Sequence, residues 1–223
     1  MALFRTIEYG VYLNWSATAA QDVPQAANSN IRLYDMKARW RTDAVEWDAS
    51  VLDSLNHLQY YKDTRWTVCS PETAGNFSAV AYYFGKKLQD SLQVPVGLIC
   101  NAIGGSPTEA WIDRSTLEYR FPAILRNWMQ NDFIQDWVRG RAALNVKQSS
   151  NKLQRHPYEP CYLYESGIRP LEQFPVKGFI WYQGESNAII GRLMKSCSDC
   201  WWKVGARIGG MRNFHSILSN CLV

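Results

Sequence analysis

Two short apolar runs, each breaking into glycine, constrain this chain most. Val94 to Ile103 (VPVGLICNAI) runs into Gly104-Gly105, and Val176 to Gln183 (VKGFIWYQ) runs into Gly184. Runs of this length without polar alternation fit strands buried on both faces, as in a parallel sheet. Ser70-Pro71-Glu72-Thr73 signals a helix start, and Ser78 to Leu92 continues at helical spacing. There Phe77, Val80, Ala81, Phe84, Leu88 and Leu92 form one stripe, predicted to face the core. Pro107 to Ile112 begins a further helix, and Ile31 to Met36 alternates like a half-buried strand. Strand, helix, strand, helix, strand predicts an α/β fold whose parallel strands lie near Ile31, Val96 and Phe179. Ligands of such sheets bind at the carboxyl ends of the strands, where both glycine turns fall. Residues 39–66, rich in Trp, Asp and Ser, read as surface loop, and 118–155 as a helical excursion outside the core.

A chain of 223 residues, 47% hydrophobic and 13% aromatic, carries enough apolar mass for one sizeable core, which excludes disordered and collagen-like classes. Its longest apolar run is too short for a bilayer and contains Pro95. The net charge of +4 sits wholly in residues 189–223, where Arg192, Lys195, Lys203, Arg207 and Arg212 face one acid, Asp199. The first 188 residues balance, which argues against a nucleic-acid surface. Cys69, Cys100 and Cys161 stand singly, as buried small hydrophobes do, and no disulfide framework follows from the spacing. The first twenty residues do not read as a signal peptide, because Glu8 and Asn14 interrupt the apolar segment.

Two motifs carry chemistry. In Asn101-Ala102-Ile103-Gly104-Gly105-Ser106, glycine after a buried strand lets backbone N–H groups approach a ligand oxygen, as an oxyanion hole requires. For the glycines alone, a tight strand-to-helix turn is the favoured reading. Gln183-Gly184-Glu185-Ser186-Asn187 sets an amide and a carboxylate at another strand end, though alone it reads as a capped turn.

Taken in order, SPETAGNFSAVAYYFGKKLQ, VPVGLICNAIGGSPTEAWI and FPVKGFIWYQGESNA resemble the sialate O-acetylesterase family of SGNH-type hydrolases, over roughly residues 14–188. The resemblance implies a flavodoxin-like, three-layer α/β/α domain, incomplete here, and hydrolysis of O-acetyl esters of sialic acids without metal or cofactor. Acetylesterases acting on other sugars, such as acetylxylan, are similar. Its chemistry uses a serine nucleophile in a GQSNM-like block and a histidine base near the C-terminal end. By this resemblance Gly105 supplies an oxyanion N–H, Gln183 or Asn187 a side-chain donor, and Glu185 braces the site. The partner it implies is an acetylated sugar rather than nucleic acid or membrane, and the family is exported.

The sequence departs from that pattern at both ends. No GQSN block occurs, and no Asp-x-x-His stands near the end. His57, His156 and His215 read as surface histidines, while Ser16, Ser106 and Ser186 lack the nucleophile's surroundings. Met1 to Gly10 can be encoded ATG GCT CTG TTC CGG ACA ATC GAA TAT GGN; read one nucleotide later, this gives WLCSGQSNM. The nucleophile codon then straddles Ile7 and Glu8. Met194 to Arg207, read two nucleotides later, can give EKLFRLLVESWR, and Met211 to Cys221 can give EEFPFYFVQL, a plausible strand. Residues 1–13 and 189–223 therefore read as frame-shifted ends, the second shift falling just after Ala188, and the tail is expected to pack poorly. Cys197-Ser198-Asp199-Cys200 has neither a second pair at zinc spacing nor a thioredoxin context. The expectation is an esterase scaffold without its nucleophile and base; a non-catalytic fragment is the rival, and a thiol-redox protein a distant third.

Overall fold

The computed structural model describes residues 2–8, 11–174, 176–182 and 217–218, with side-chain surroundings for 11–174 and 176–180. Its strands are β1 (Ala2–Glu8), β2 (Asn28–Met36), β3 (Thr67–Cys69), β4 (Val96–Asn101), β5 (Gly178–Tyr182) and β6 (Ile217–Leu218). The helices are α1 (Ala19–Asp22), α2 (Ala49–Asn56), α3 (Pro71–Gly75), α4 (Ala79–Leu92), α5 (Arg114–Arg120) and α6 (Asp136–Asn145). The strands form one sheet in the order β3-β2-β4-β1-β5-β6, parallel throughout except for the edge strand β3.

The three strands expected near Ile31, Val96 and Phe179 are present and parallel. β4 pairs directly with β2, while β1 stands between β4 and β5. Counting the parallel strands along the chain, the sheet runs second, third, first, fourth, fifth, where a flavodoxin sheet runs 2-1-3-4-5. Residues 2–8, expected to lie outside the family domain, thus form a central strand. Ile217–Leu218 extends the sheet beyond β5; the rest of the 189–223 segment, with Cys197, Cys200 and His215, lies outside the described residues.

All six residues of β4 are buried, and strand alternation sends them to two layers. Val96, Leu98 and Cys100 join Leu13, Ile31, Leu33, Phe77, Ala81 and Tyr82 in one core. Ile99 joins a larger core with Trp47, Leu55, Trp111, Ile124, Val138 and Tyr162. This double burial is why the strand reads as an uninterrupted apolar run.

α4 begins where expected, with the Ser78 hydroxyl accepting from the Ala81 N–H at 2.9 Å. Its buried face differs from the expected stripe. Ala81, Tyr82, Gly85 and Gln89 face inward, while Val80 and Leu92 are exposed and Phe84 and Leu88 half-buried. Close approach decides this: a Cβ on Gly85 would lie 2.5 Å from Leu98 Cδ1, so the small residues take the sheet-facing side. The Ser70 start belongs to the separate helix α3, closed by a capping box with Thr73.

Three further sequence expectations fail. Residues 39–66 are not a surface loop, because they contain α2, capped by Asp48, with Trp47, Val51, Leu52, Leu55 and Tyr60 buried. Nor is 118–155 an excursion: Ile124, Trp128, Ile134, Val138, Ala142 and Val146 all lie in the larger core. Val51, Leu52 and Leu55 do fall at helical spacing, but α2 has only eight residues, and 118–155 breaks into short turns before α6, so neither stretch keeps one period for long. The helix expected from Pro107 is a single 3-10 turn, Thr108–Trp111.

Candidate active site

Three strands end at one edge of the sheet. Cys100 on β4 is level with Thr6 on β1, and Thr6 is level with Ile180 on β5. Adjacent strands lie about 4.8 Å apart, so the ends of β4 and β5 are separated by about 10 Å with the end of β1 between them. Gly104-Gly105 leaves β4 at this edge, and β5 ends there at Tyr182, one residue before Gln183. Of the expected site residues, Gly105 lies in the described part; Gln183, Glu185 and Asn187 lie outside the described residues.

Gly105 has φ +72°, the left-handed region that glycine occupies without strain. A Cβ there would stand 2.7 Å from the Tyr158 hydroxyl and 3.1 Å from Trp137 Cη2. The turn therefore requires glycine twice, by backbone and by space. Tyr158 holds the turn from behind: its hydroxyl donates to the Gly104 carbonyl at 2.9 Å and meets Thr42 Oγ1 at 2.6 Å. Burial raises the Tyr158 pKa, which keeps the phenol protonated as a donor.

The end of β4 is pinned by Asn101, fully buried, whose Nδ2 donates to the Gly167 carbonyl at 3.2 Å. Its Oδ1 accepts from the Tyr61 hydroxyl at 2.7 Å. Gly167 lies in a π-helical turn, Tyr164–Ile168, where a Cβ would come within 2.8 Å of both Tyr61 and Asn101. Neither Tyr61 nor Tyr158 carried a motif; only the long-range fold brings them to the strand end.

The serines weighed as nucleophiles are structural where they are described. Ser106 is fully buried, donating to the Ile103 carbonyl at 2.8 Å and accepting from Trp111 Nε1 at 2.9 Å. Ser16 donates to the Leu13 carbonyl at 2.9 Å. Ser186 lies outside the described residues.

His57 is exposed, as expected, with Nδ1 beside the Asp53 carbonyl. His156 corrects the expectation, since it is fully buried rather than on the surface. It stacks on Trp47 at 5.1 Å, its Nδ1 accepts from the Tyr158 N–H at 2.9 Å, and its Nε2 meets Asn145 Oδ1 at 3.1 Å. Nδ1 is thus the bare nitrogen and Nε2 the protonated one. Burial among aromatic rings lowers its pKa to about 3. Both ring nitrogens are used within the core, so His156 is a structural histidine rather than a general base.

Cys69, Cys100 and Cys161 are buried free thiols, with burial pushing Cys69 up to about 11 and Cys161 to about 12. Thiolate chemistry is suppressed at both. Among the described residues, no group of three or more His, Cys, Asp and Glu could hold a metal, and no helix is long and apolar enough to cross a membrane. A polar cleft of about 700 Å³ lies beside α5 and the π-helical turn, lined by Asp113, Arg114, Glu118, Glu165, Arg169 and neighbours. Its Glu165 is already paired with Arg155 at 2.7 Å and Arg114 at 3.5 Å.

Over 174 residues, 69% of its length, the chain is 33% identical to the sialate O-acetylesterase of Rattus norvegicus. Over 162 residues it is 32% identical to the sialate O-acetylesterase of Mus musculus. It spans 30% and 28% of these relatives, under a third of their length. A solved carbohydrate acetylesterase from Xanthomonas citri superposes with a TM-score of 0.66 over 96% of this chain and 41% of its own, at 24% identity, which shows a shared fold. No family model matches the chain. A parallel sheet whose third strand breaks into a left-handed glycine turn, carried on a segment a third identical to these enzymes, assigns the chain to the sialate O-acetylesterase family.

Proposed function

We propose that this chain carries the scaffold of a carbohydrate esterase that hydrolyses O-acetyl esters of sialic acids, and that as written it lacks the attacking atom. The observation that carries this reading is the position of β1, whose carboxyl end at Ile7–Glu8 lies between the ends of β4 and β5. The alternative reading frame puts a GQSNM serine codon across those two residues. A tetrahedral centre formed there would stand about 5 Å from each neighbouring strand. That is near enough for donors from the two flanking loops to reach its oxygen.

In this reading Gly105 offers a backbone N–H to the developing oxyanion, and Gln183 or Asn187 a side-chain N–H, with Glu185 bracing the second loop. Tyr158 keeps the Gly104–Gly105 peptide units oriented. The nucleophile's proton would need a histidine from the segment after Ala188. The two described histidines do not supply it: His57 is bound to its own helix, and His156 is consumed in the core. An ester hydrolase without nucleophile and base retains at most the part of catalysis its oxyanion donors give, about a thousandfold over water in an otherwise intact site.

Residues 1–13 and 189–223 are, in this reading, translated out of the family's frame. The second reading, an acetylesterase for another sugar such as acetylxylan, rests on the likeness to the Xanthomonas citri carbohydrate acetylesterase. Acetate release from O-acetylated sialic acid and from acetylated xylose tests both. The chain as written is expected to release neither at an enzyme-like rate; a burst of acetate would identify a serine of this chain as nucleophile and overturn the reading.

A further inference from the structure

The side chains that meet Gly105 include one whose position neither the turn nor the core explains. The Trp137 indole reaches the turn with Cη2, 3.1 Å from where a Gly105 Cβ would stand, yet 41% of Trp137 is exposed. Its Nε1 donates to Gln135 Oε1 at 2.8 Å, and Tyr158 meets the ring edge-on at 6.2 Å. The indole is therefore held in place while part of its surface stays open to solvent. An open, fixed indole is a surface on which the C–H face of a sugar ring can stack, since the ring is large, rigid and amphipathic.

One helical turn along α6, the Arg141 guanidinium lies over one face of the same indole, 5.7 Å from its centroid, and leaves the remaining exposed surface of the ring for a ligand. It donates to the Thr42 carbonyl at 3.1 Å, which fixes its position. Arg39, Arg41, Arg114, Arg139 and Arg155 each have a carboxylate partner. Arg141, like Arg32, Arg65, Arg120, Arg126 and Arg169, joins no ion pair among the described residues; it is half-buried and sits on the indole that meets Gly105. A positioned guanidinium with no carboxylate partner among the described residues suits a carboxylate ligand, to which it can present N–H donors.

We propose that Trp137 and Arg141 form the sugar-reading shelf of this site: Trp137 stacks on the pyranose ring and Arg141 pairs with the carboxylate of an acidic sugar. The proposal rests on the esterase reading and deepens it, because it separates sialic acids from neutral acetylated sugars. A neutral xylose would engage Trp137 alone. Arg141 is thus a specificity-determining residue that takes no part in bond making.

The test is an NMR titration of the intact chain with three probes: the methyl glycoside of N-acetylneuraminic acid, its C1 carboxamide, and a methyl xyloside. The carboxylate probe is expected to bind about tenfold or more tighter than the carboxamide, as a charge-assisted pair gives. Arg141→Met should remove that preference while leaving carboxamide binding unchanged, and Arg141→Lys should restore part of it. Trp137→Ala should weaken all three probes alike. The preference is a ratio measured in one sample, so it does not depend on how much of a variant is folded. Equal binding of carboxylate and carboxamide by the intact chain, or a preference that survives Arg141→Met, overturns the proposal and leaves the esterase reading standing. Binding of none of the three probes overturns both.

Discussion

The Tyr158 hydroxyl donates to the Gly104 carbonyl at 2.9 Å across 54 positions of sequence, tying the core of the α6 region to the turn that leaves the central sheet. The same hydroxyl meets Thr42 at 2.6 Å, so one phenol joins three distant segments. Tyr158→Phe keeps the ring and removes both bonds, leaving the buried Thr42 hydroxyl and the Gly104 carbonyl each short of a partner. It should cost about 1–3 kcal/mol in urea unfolding. A loss below about 0.5 kcal/mol would mean that the turn is held by other contacts.

Gly105 should tolerate no side chain. At φ +72° a Cβ is strained, and it would also stand 2.7 Å from the Tyr158 hydroxyl. Gly105→Ala is expected to lower stability by about 1–3 kcal/mol, measured by the shift in urea midpoint. The effect should shrink in a Tyr158→Phe background, where the clashing oxygen is gone and the backbone strain alone remains.

Gly85 separates helix propensity from packing. Alanine is favoured over glycine inside a helix by about 1 kcal/mol. Yet a Cβ at this position would lie 2.5 Å from Leu98 Cδ1, and overpacking costs about 1–3 kcal/mol. Gly85→Ala should therefore be neutral to destabilising, and Leu98→Val in the same protein should recover part of any loss. A stabilised single variant would show that α4 can move off the sheet without cost.

His156 predicts acid sensitivity. Its folded pKa is lowered to about 3, whereas the unfolded chain titrates near 6.5. Below about pH 6.5 the unfolded state binds the extra proton, so stability falls as pH drops toward 3, by at most about 1.4 kcal/mol per pH unit. Among the described residues the ring's aromatic and hydrogen-bonding neighbours are Trp47, Trp128, Tyr158 and Asn145, and burial is the cause of the shift. Stability measured from pH 7.5 to 4 should show this slope, and His156→Gln, although less stable at pH 7.5, should flatten it.

What could be read from sequence follows from how each element buries its residues. β4 was legible because both its faces are covered, which makes Val96 to Cys100 apolar without interruption. The Gly104-Gly105 turn was legible because its backbone demands glycine. β1 was not, since Ala2–Glu8 mixes Leu3, Phe4 and Ile7 with Arg5, Thr6 and Glu8, and its central place comes from pairing with β4 and β5. α2 and the 118–155 stretch were hidden by the shortness of their elements, eight residues in α2 and two 3-10 turns before α6. His156 looked like a surface residue because the rings that enclose it, Trp47 and Trp128, come from positions far away in the chain. Trp137 and Arg141 stand four apart on one helix, and only the fold brings Trp137 beside Gly105 with Arg141 over its indole.

The central claim is that the family's nucleophile belongs at the end of β1, where Ile7 and Glu8 now stand. Acetate release from O-acetylated sialic acid tests it most directly, comparing the chain as written with a protein in which Met1–Gly10 and the segment after Ala188 are returned to the alternative frames. The account predicts enzyme-like turnover only in the restored protein, lost again when the serine of its GQSNM block is replaced by alanine. Turnover by the chain as written, or a restored protein that folds and stays inert, would contradict it.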